Sequence, residues 1–222
     1  MEKGKIWAVI PAHNEQKNIA EIVIKTKKYV DKVLVVDDGS RDSTIELAEK
    51  ANAIVLRHVV NLGKGAALKT GCDFAVKNGA EYIVVLDADL QHKPEDIPRF
   101  IEKLRKYDIV FSYRKESRKM PAVLKFGNWL ISGIVNSLYK VKLNDTQCGF
   151  RAFTKETYKK IRWNASDYSM ESEIIARVGK QRLKYVQIPI QTIYSDKYKG
   201  TTVIDGMKIV LSMVWWKLFN SR

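Results

Sequence analysis

Two pairs of neighbouring carboxylates and one lysine are the groups most able to do chemistry. Asp87 and Asp89 follow an apolar run in the string Leu86-Asp87-Ala88-Asp89-Leu90-Gln91-His92. On an extended strand end, residues two apart lie on one side. These two carboxylates are then near enough to share a divalent cation that also binds a diphosphate. Oxygen donors suit Mg2+ or Mn2+, and Gln91 can add a carbonyl or orient a metal-bound water. Asp37 and Asp38, in Asp37-Asp38-Gly39-Ser40, repel each other unless one turns to a cap or accepts from a ligand's N–H or hydroxyl groups. A nucleoside offers such donors; a plain turn into the next helix is the other reading. Asn61-Leu62-Gly63-Lys64-Gly65 joins two glycines and a cation at a helix start, a combination that favours an anion. It is not a Walker A loop, since Gly65 follows Lys64, and it is not the dinucleotide fingerprint, since the sixth position is Leu68.

Basic groups gather further along. Tyr113-Arg114-Lys115-Glu116-Ser117-Arg118-Lys119 leaves a strand, and Arg114 and Arg118 suit bidentate phosphate contacts. Asp145-Thr146-Gln147-Cys148-Gly149-Phe150-Arg151 is small and polar, then aromatic and cationic, and lines something. Met170-Glu171-Ser172-Glu173 opens a helix, where the dipole favours carboxylates. Turned inward, one of them becomes a general base or a sugar-hydroxyl partner.

The elements that position these groups are legible as apolar runs. Ile6–Ile10, Val33–Val36, Ala53–Leu56 and Tyr82–Leu86 read as strands, separated by helices at Glu15–Tyr29 after an Asn14 cap, Ser43–Lys50 after Asp42, and Ala66–Lys77 before Asn78-Gly79. Strands apolar on both faces and alternating with helices make a mostly parallel α/β sheet covered on both sides. Ligands then sit outside the carboxyl ends of the strands. The second half reads as a helix after Pro94, strands at Asp108–Tyr113, Gly149–Phe153 and Val186–Ile190, and helices near Val123–Leu138, Met170–Gly179 and Thr202–Phe219. Without repeats or linkers, residues 1–222 are expected to form one domain.

The chain has 222 residues, 45% of them hydrophobic, and a net charge of +14. Disordered and fibrous classes are excluded. Residues 1–98 hold 14 basic and 15 acidic side chains, whereas residues 99–222 hold 25 and 10, so one half suits a cation and the other an anion. Basic residues without interleaved aromatics and glycines argue against a nucleic-acid module. Two cysteines give neither a disulfide framework nor a zinc spacing, the start is too short for a signal-peptide core, and no apolar run reaches the ~20 residues of a spanning helix.

Taken in order, Pro11-Ala12-His13-Asn14-Glu15, Asp37-Asp38-Gly39-Ser40, Asn61–Gly65, Asp87–His92 and Asp145–Arg151 resemble the family 2 glycosyltransferases, most closely the dolichyl-phosphate (polyprenyl-phosphate) mannose and glucose synthases. The resemblance spans about residues 5–205. It implies a single nucleotide-diphospho-sugar transferase domain of GT-A type with a mixed sheet, residues 1–98 binding nucleotide and metal and residues 99–222 the acceptor. It implies an inverting transfer of mannose or glucose from a GDP- or UDP-sugar. Position by position, Pro11, Ala12, Glu15, Asp37 and Asp38 surround the nucleoside, with Asp38 on the base and Lys64 nearby. Asp87, Asp89 and Gln91 match the Mg2+ or Mn2+ and diphosphate motif, with Asp89 the first ligand. Arg114 and Arg118 face the acceptor phosphate. Gln147-Cys148-Gly149-Phe150 is like the segment of the glucose synthases, whereas Asp89-Leu90-Gln91-His92 is similar to that of the mannose synthases, so the sugar stays open; Gln147 and Arg151 are expected on the acceptor or sugar side. Lys197 or Lys199 replaces a lysine that relatives carry before their last helix.

A lipid-phosphate acceptor is already anionic near pH 7, since the second pKa of a phosphate monoester is about 6, so no strong base is needed. A saccharide hydroxyl acceptor would need one, and Glu171 or Glu173 is then the candidate. Tryptophan and lysine beside apolar stripes at 120–139 and 202–219 suit helices lying in a bilayer interface. Peripheral attachment to the cytoplasmic membrane face is therefore expected.

Overall fold

A computed structural model describes residues 5–114 and 139–191, with residues 133, 136 and 137 between them. Arg118, Lys197, Lys199 and nearly all of the two expected interfacial helices lie outside the described residues.

Seven strands form one sheet: β1 (Ile6–Ala12), β2 (Lys32–Asp38), β3 (Ile54–His58), β4 (Tyr82–Val85), β5 (Ile109–Arg114), β6 (Arg151–Thr154) and β7 (Tyr185–Ile190). Their order is β3-β2-β1-β4-β6-β5-β7. All neighbours run parallel except β6, which is antiparallel to both β4 and β5. The alternation that makes a doubly buried strand is plain in β1. Trp7 and Val9 enter one core, Ala8, Ile10 and Ala12 the other.

Among the described residues, three helices cover each face. The first core receives α3 (Lys64–Lys77), α5 (Lys155–Ile161) and α6 (Met170–Lys180). The second receives α1 (Ile19–Thr26), α2 (Thr44–Lys50) and α4 (Ile97–Lys103). In α1 the buried positions are Ile19, Ile22, Val23 and Thr26, one helical stripe. In α3 they include Leu68 and the small residues Ala67, Gly71, Cys72 and Ala75, which let the helix settle close to β1 and β2. Phe150 stacks on Phe100 with ring centroids 4.3 Å apart, joining the entry of β6 to α4. Removing such a buried ring costs about 3–5 kcal/mol. Both cysteines are buried free thiols. Among the described residues, no helix is long and apolar enough to cross a membrane.

Two local expectations change. The first helix begins at Ile19 instead of Glu15, because Asn14 takes a left-handed φ of 54° and does not cap it. Its N–H donates to Ser40 Oγ at 2.8 Å, and its Oδ1 accepts from Arg41 N at 2.9 Å. Asn14 therefore laces the β1 exit to the β2 exit. The other change is α5, a helix absent from the sequence reading. Its cap is Thr154, whose hydroxyl accepts from Thr157 N.

Candidate active site at the carboxyl ends of the central strands

The exits of β1, β2 and β3 are bound to one another. Ala12 is buried and Glu15 nearly so; Glu15 N donates to Thr44 Oγ1 at 2.8 Å, while Asn18 Nδ2 donates to Glu15 Oε2 at 3.0 Å. Asp37 accepts from Ser40 N through Oδ2, and its buried Oδ1 has no partner among the described residues. The carboxylate of Asp38, the residue expected on the base, meets three groups of the protein. Leu62 N donates to Oδ1 at 2.9 Å, Gly63 N donates to Oδ2 at 2.8 Å, and His58 Nδ1 sits 2.8 Å from Oδ1. His58 also meets Thr70 Oγ1 at 3.0 Å, which ties the end of β3 to α3. No short motif marks His58; only its place at a strand exit could have singled it out.

The glycine-lysine loop serves packing as much as charge. A side chain on Gly63 or Gly65 would run into the carbonyl oxygens of Ser166 and Ala165, each 2.5 Å from the added carbon. Trp163 Nε1 donates to Gly65 O at 2.8 Å, and Ala66 N donates to Ser166 O at 3.0 Å. One of the free N–H groups that the start of α3 would offer an anion is thus already used. The Lys64 side chain instead reaches inward. Its Nζ lies 2.8 Å from Asp87 Oδ1 and 3.2 Å from Glu171 Oε1. Burial works against its charge, yet Asp87 and Glu171 hold the ammonium above its ordinary pKa.

Beyond β4, Leu90 has a left-handed φ of 60°, unusual for a leucine and costing about 1–2 kcal/mol. Around this bend Gln91 N donates to Asp89 Oδ1 at 3.0 Å. Burial, then repulsion from Asp87, pushes the Asp89 carboxyl up to about 6 against that hydrogen bond. Asp87 goes the other way: burial raises it, but Lys64, His92 and Arg151 together bring it below the usual carboxylate range. His92 is buried against Phe150, with burial pushing it down to about 4.

The residues around β6 complete the cluster. Val85 pairs with Arg151, so the segment before β6 lies beside Asp87. A β-carbon on Gly149 would stand 2.5 Å from Asp87 Oδ2 and 3.0 Å from Lys64 Nζ. Arg151 is fully buried; its Nη2 donates to Cys148 O at 2.7 Å and lies 3.7 Å from Glu171 Oε1. Gln147 Nε2 reaches Ser172 Oγ at 3.4 Å, and its buried Oε1 has no partner among the described residues. Arg114 is held by Asp145, Nε to Oδ2 at 2.6 Å and Nη2 to Oδ1 at 3.1 Å. Glu173 is not brought to the cluster. Its carboxylate accepts from Asn164 N, Ala165 N and Arg177, clasping the loop that carries Trp163.

Among the described residues, no three His, Cys, Asp or Glu side chains gather as a metal cage. The donor set nonetheless fits Mg2+ or Mn2+ that keeps part of its shell for a phosphate. Such ions take one or two carboxylates plus substrate oxygens, and Asp89 bears a carboxyl under repulsion from Asp87 that a cation would relieve.

A sheet ordered 3-2-1-4-6-5-7, with acids at the exit of β4, defines the GT-A type of nucleotide-sugar transferase fold. Glucosyl-3-phosphoglycerate synthase from Mycobacterium tuberculosis, solved with Mn2+, uridine diphosphate and phosphoglyceric acid, shares this fold. Its TM-score is 0.77 at 19% identity over 97% of this chain and 78% of that one. The chain belongs to glycosyl transferase family 2, which matches residues 7–168. It is 32% identical to the UDP-N-acetylglucosamine–dolichyl-phosphate N-acetylglucosaminyltransferase of Methanococcus voltae, over 96% of each chain. It is 28% identical to the undecaprenyl-phosphate mannosyltransferase of Micrococcus luteus, over 91% of this chain and 88% of that one.

Proposed function

We propose that this glycosyltransferase moves a single sugar from a nucleotide-sugar donor to polyprenyl phosphate, with inversion, at the cytoplasmic surface of a membrane. The observation that carries the choice of acceptor is the state of the two candidate bases. Glu171 is buried between Lys64 and Arg151, and Glu173 is spent on the 164–165 loop and Arg177. Glu173 is committed to that loop, and the two cations facing Glu171 Oε1 work against its taking a proton from a sugar hydroxyl, while burial raises its carboxyl. A phosphate monoester needs no such help, being anionic near pH 7.

In this reading Pro11, Ala12, Glu15, Asp37 and Asp38 frame the nucleoside, and Asp87 and Asp89 hold the cation, with Gln91 orienting its remaining shell. A divalent ion supplies charge neutralisation of the departing diphosphate. Lys64 adds a positive charge beside Asp87. Arg114, kept rigid by Asp145, and Arg118 offset repulsion between the acceptor phosphate and the donor. Attachment to the lipid surface through residues 120–139 and 202–219 follows from their sequence. The relatives carry N-acetylglucosamine and mannose by name, so the sugar is the open variable beside the mannose and glucose expected from motifs.

The test is a donor panel of UDP-N-acetylglucosamine, UDP-glucose and GDP-mannose with Mn2+ or Mg2+ and a short polyprenyl phosphate. One donor should yield glycolipid. Transfer to a saccharide hydroxyl, with none to polyprenyl phosphate, would overturn the proposal. Flotation with anionic liposomes tests attachment: the protein should rise at low salt and sink as salt increases.

A further inference from the structure

Lys64 joins two carboxylates that arrive from distant parts of the chain, Asp87 at the exit of β4 and Glu171 in the first turn of α6. Resting on the nucleotide-sugar reading above, we propose that Glu171 is a positioning residue. It tethers the Lys64 ammonium beside Asp87, where that ammonium meets the donor's diphosphate when a divalent ion takes the Asp87 oxygen.

The surroundings of Glu171 are those of a counter-ion. It is 2% exposed, a burial that an ionised carboxylate tolerates only with partners. Its Oε1 faces both Lys64 Nζ at 3.2 Å and Arg151 Nη2 at 3.7 Å. Arg151 is in turn fixed by Cys148 O and cannot leave. Lys64, on a flexible four-carbon stem, is the mobile member of the set. Its ammonium and a divalent ion repel each other at one carboxylate oxygen. Untethered, the displaced lysine would swing toward solvent past the ring of Tyr168, now 5.6 Å away and half exposed. Tethered to Glu171, it stays in the cleft, and a diphosphate is the anion that compensates both cations. Gly149 keeps the space open, since any β-carbon there would press on Asp87 and Lys64 together.

The experiment compares Lys64→Met, Glu171→Gln and the double variant with the wild type. Binding of UDP, GDP, UMP and GMP is followed by calorimetry, Mn2+ binding without nucleotide by spin resonance, and donor KM and kcat by transfer. Lys64→Met should weaken diphosphate binding at least about tenfold and leave monophosphate binding unchanged, which also reports an intact fold. It should tighten Mn2+ binding without nucleotide, because the competitor for Asp87 is gone. Glu171→Gln should weaken diphosphate binding about three- to tenfold and raise donor KM while kcat holds. The double variant should bind diphosphate no worse than Lys64→Met. Additive losses in the double variant would overturn the inference. So would a Glu171→Gln enzyme with wild-type diphosphate binding and KM but a collapsed kcat that recovers at high pH, the behaviour of a lost base. A wild type that binds neither UDP nor GDP would refute the nucleotide-sugar reading itself, and this inference with it.

Discussion

Asp38 at the exit of β2 and Asp89 at the exit of β4 each belong to a pair of acids and are used in opposite ways. At β2, the oxygens of Asp38 are filled by two backbone N–H groups and His58; the carboxylate shapes the loop that leads into α3. At β4, burial and then repulsion from Asp87 raise the Asp89 carboxyl to about 6, and the one ammonium nearby sits between Asp87 and Glu171. A carboxylate whose acceptor sites are occupied by the protein holds the protein. One left under electrostatic strain is suited to something that arrives later.

The sharpest way to break this contrast is Asp89→Asn. Sugar transfer should fall about a thousandfold, while the melting temperature stays level or rises because the repulsion from Asp87 is gone. Asp38→Asn should show its effect in stability first. It should lose about 2–3 kcal/mol in urea unfolding, with faster amide exchange at residues 61–63, because a neutral amide cannot replace the three bonds to the carboxylate. Gly149→Ala tests the β4 side by steric means. The added carbon meets the movable ends of Asp87 and Lys64 instead of backbone, so transfer should drop at least about tenfold with little change in stability.

The smallest effect concerns Asp145, which belongs with Asp38. Burial raises its carboxyl, but the Arg114 guanidinium outweighs that and holds it below the usual range. Its contribution is therefore full above the unfolded-state value of about 3.9 and disappears as pH falls through the lower folded value. Asp145→Asn should cost about 1.5 kcal/mol at pH 7. Thermal melts taken from pH 7 to pH 3 should show the two proteins converging at the acid end.

Much of the frame was legible because it is local. Strands such as Val33–Val36 and Tyr82–Leu86 are short apolar runs closed by acids or turns, and the structure extends or trims them by a few residues. The acids of the β4 exit were visible for the same reason. What local pattern could not supply was pairing across the chain: Lys64 and Glu171 are 107 positions apart, and nothing near either one announces the other. Helix α5 escaped because Lys155-Glu156-Thr157-Tyr158-Lys159-Lys160 looks like solvated charge. Only Thr157, Tyr158 and Ile161 are buried, too narrow a stripe to read from sequence. Asn14 looked like a cap because its residue type favours one; its left-handed backbone serves the β2 exit instead.

The reversed strand β6 has a consequence for how the chain is made. Residues 5–85 can lay down β3-β2-β1-β4 as a parallel sheet of their own, leaving the outer edge of Tyr82–Val85 without its partner. That partner, Arg151–Thr154, is synthesised only after β5. Until then a short, wholly apolar edge is open to other nascent chains. The strand that closes this edge also brings Gly149 and Arg151 to Asp87, so the edge stops being a hazard as the active cluster begins to assemble, with Glu171 still to come from α6.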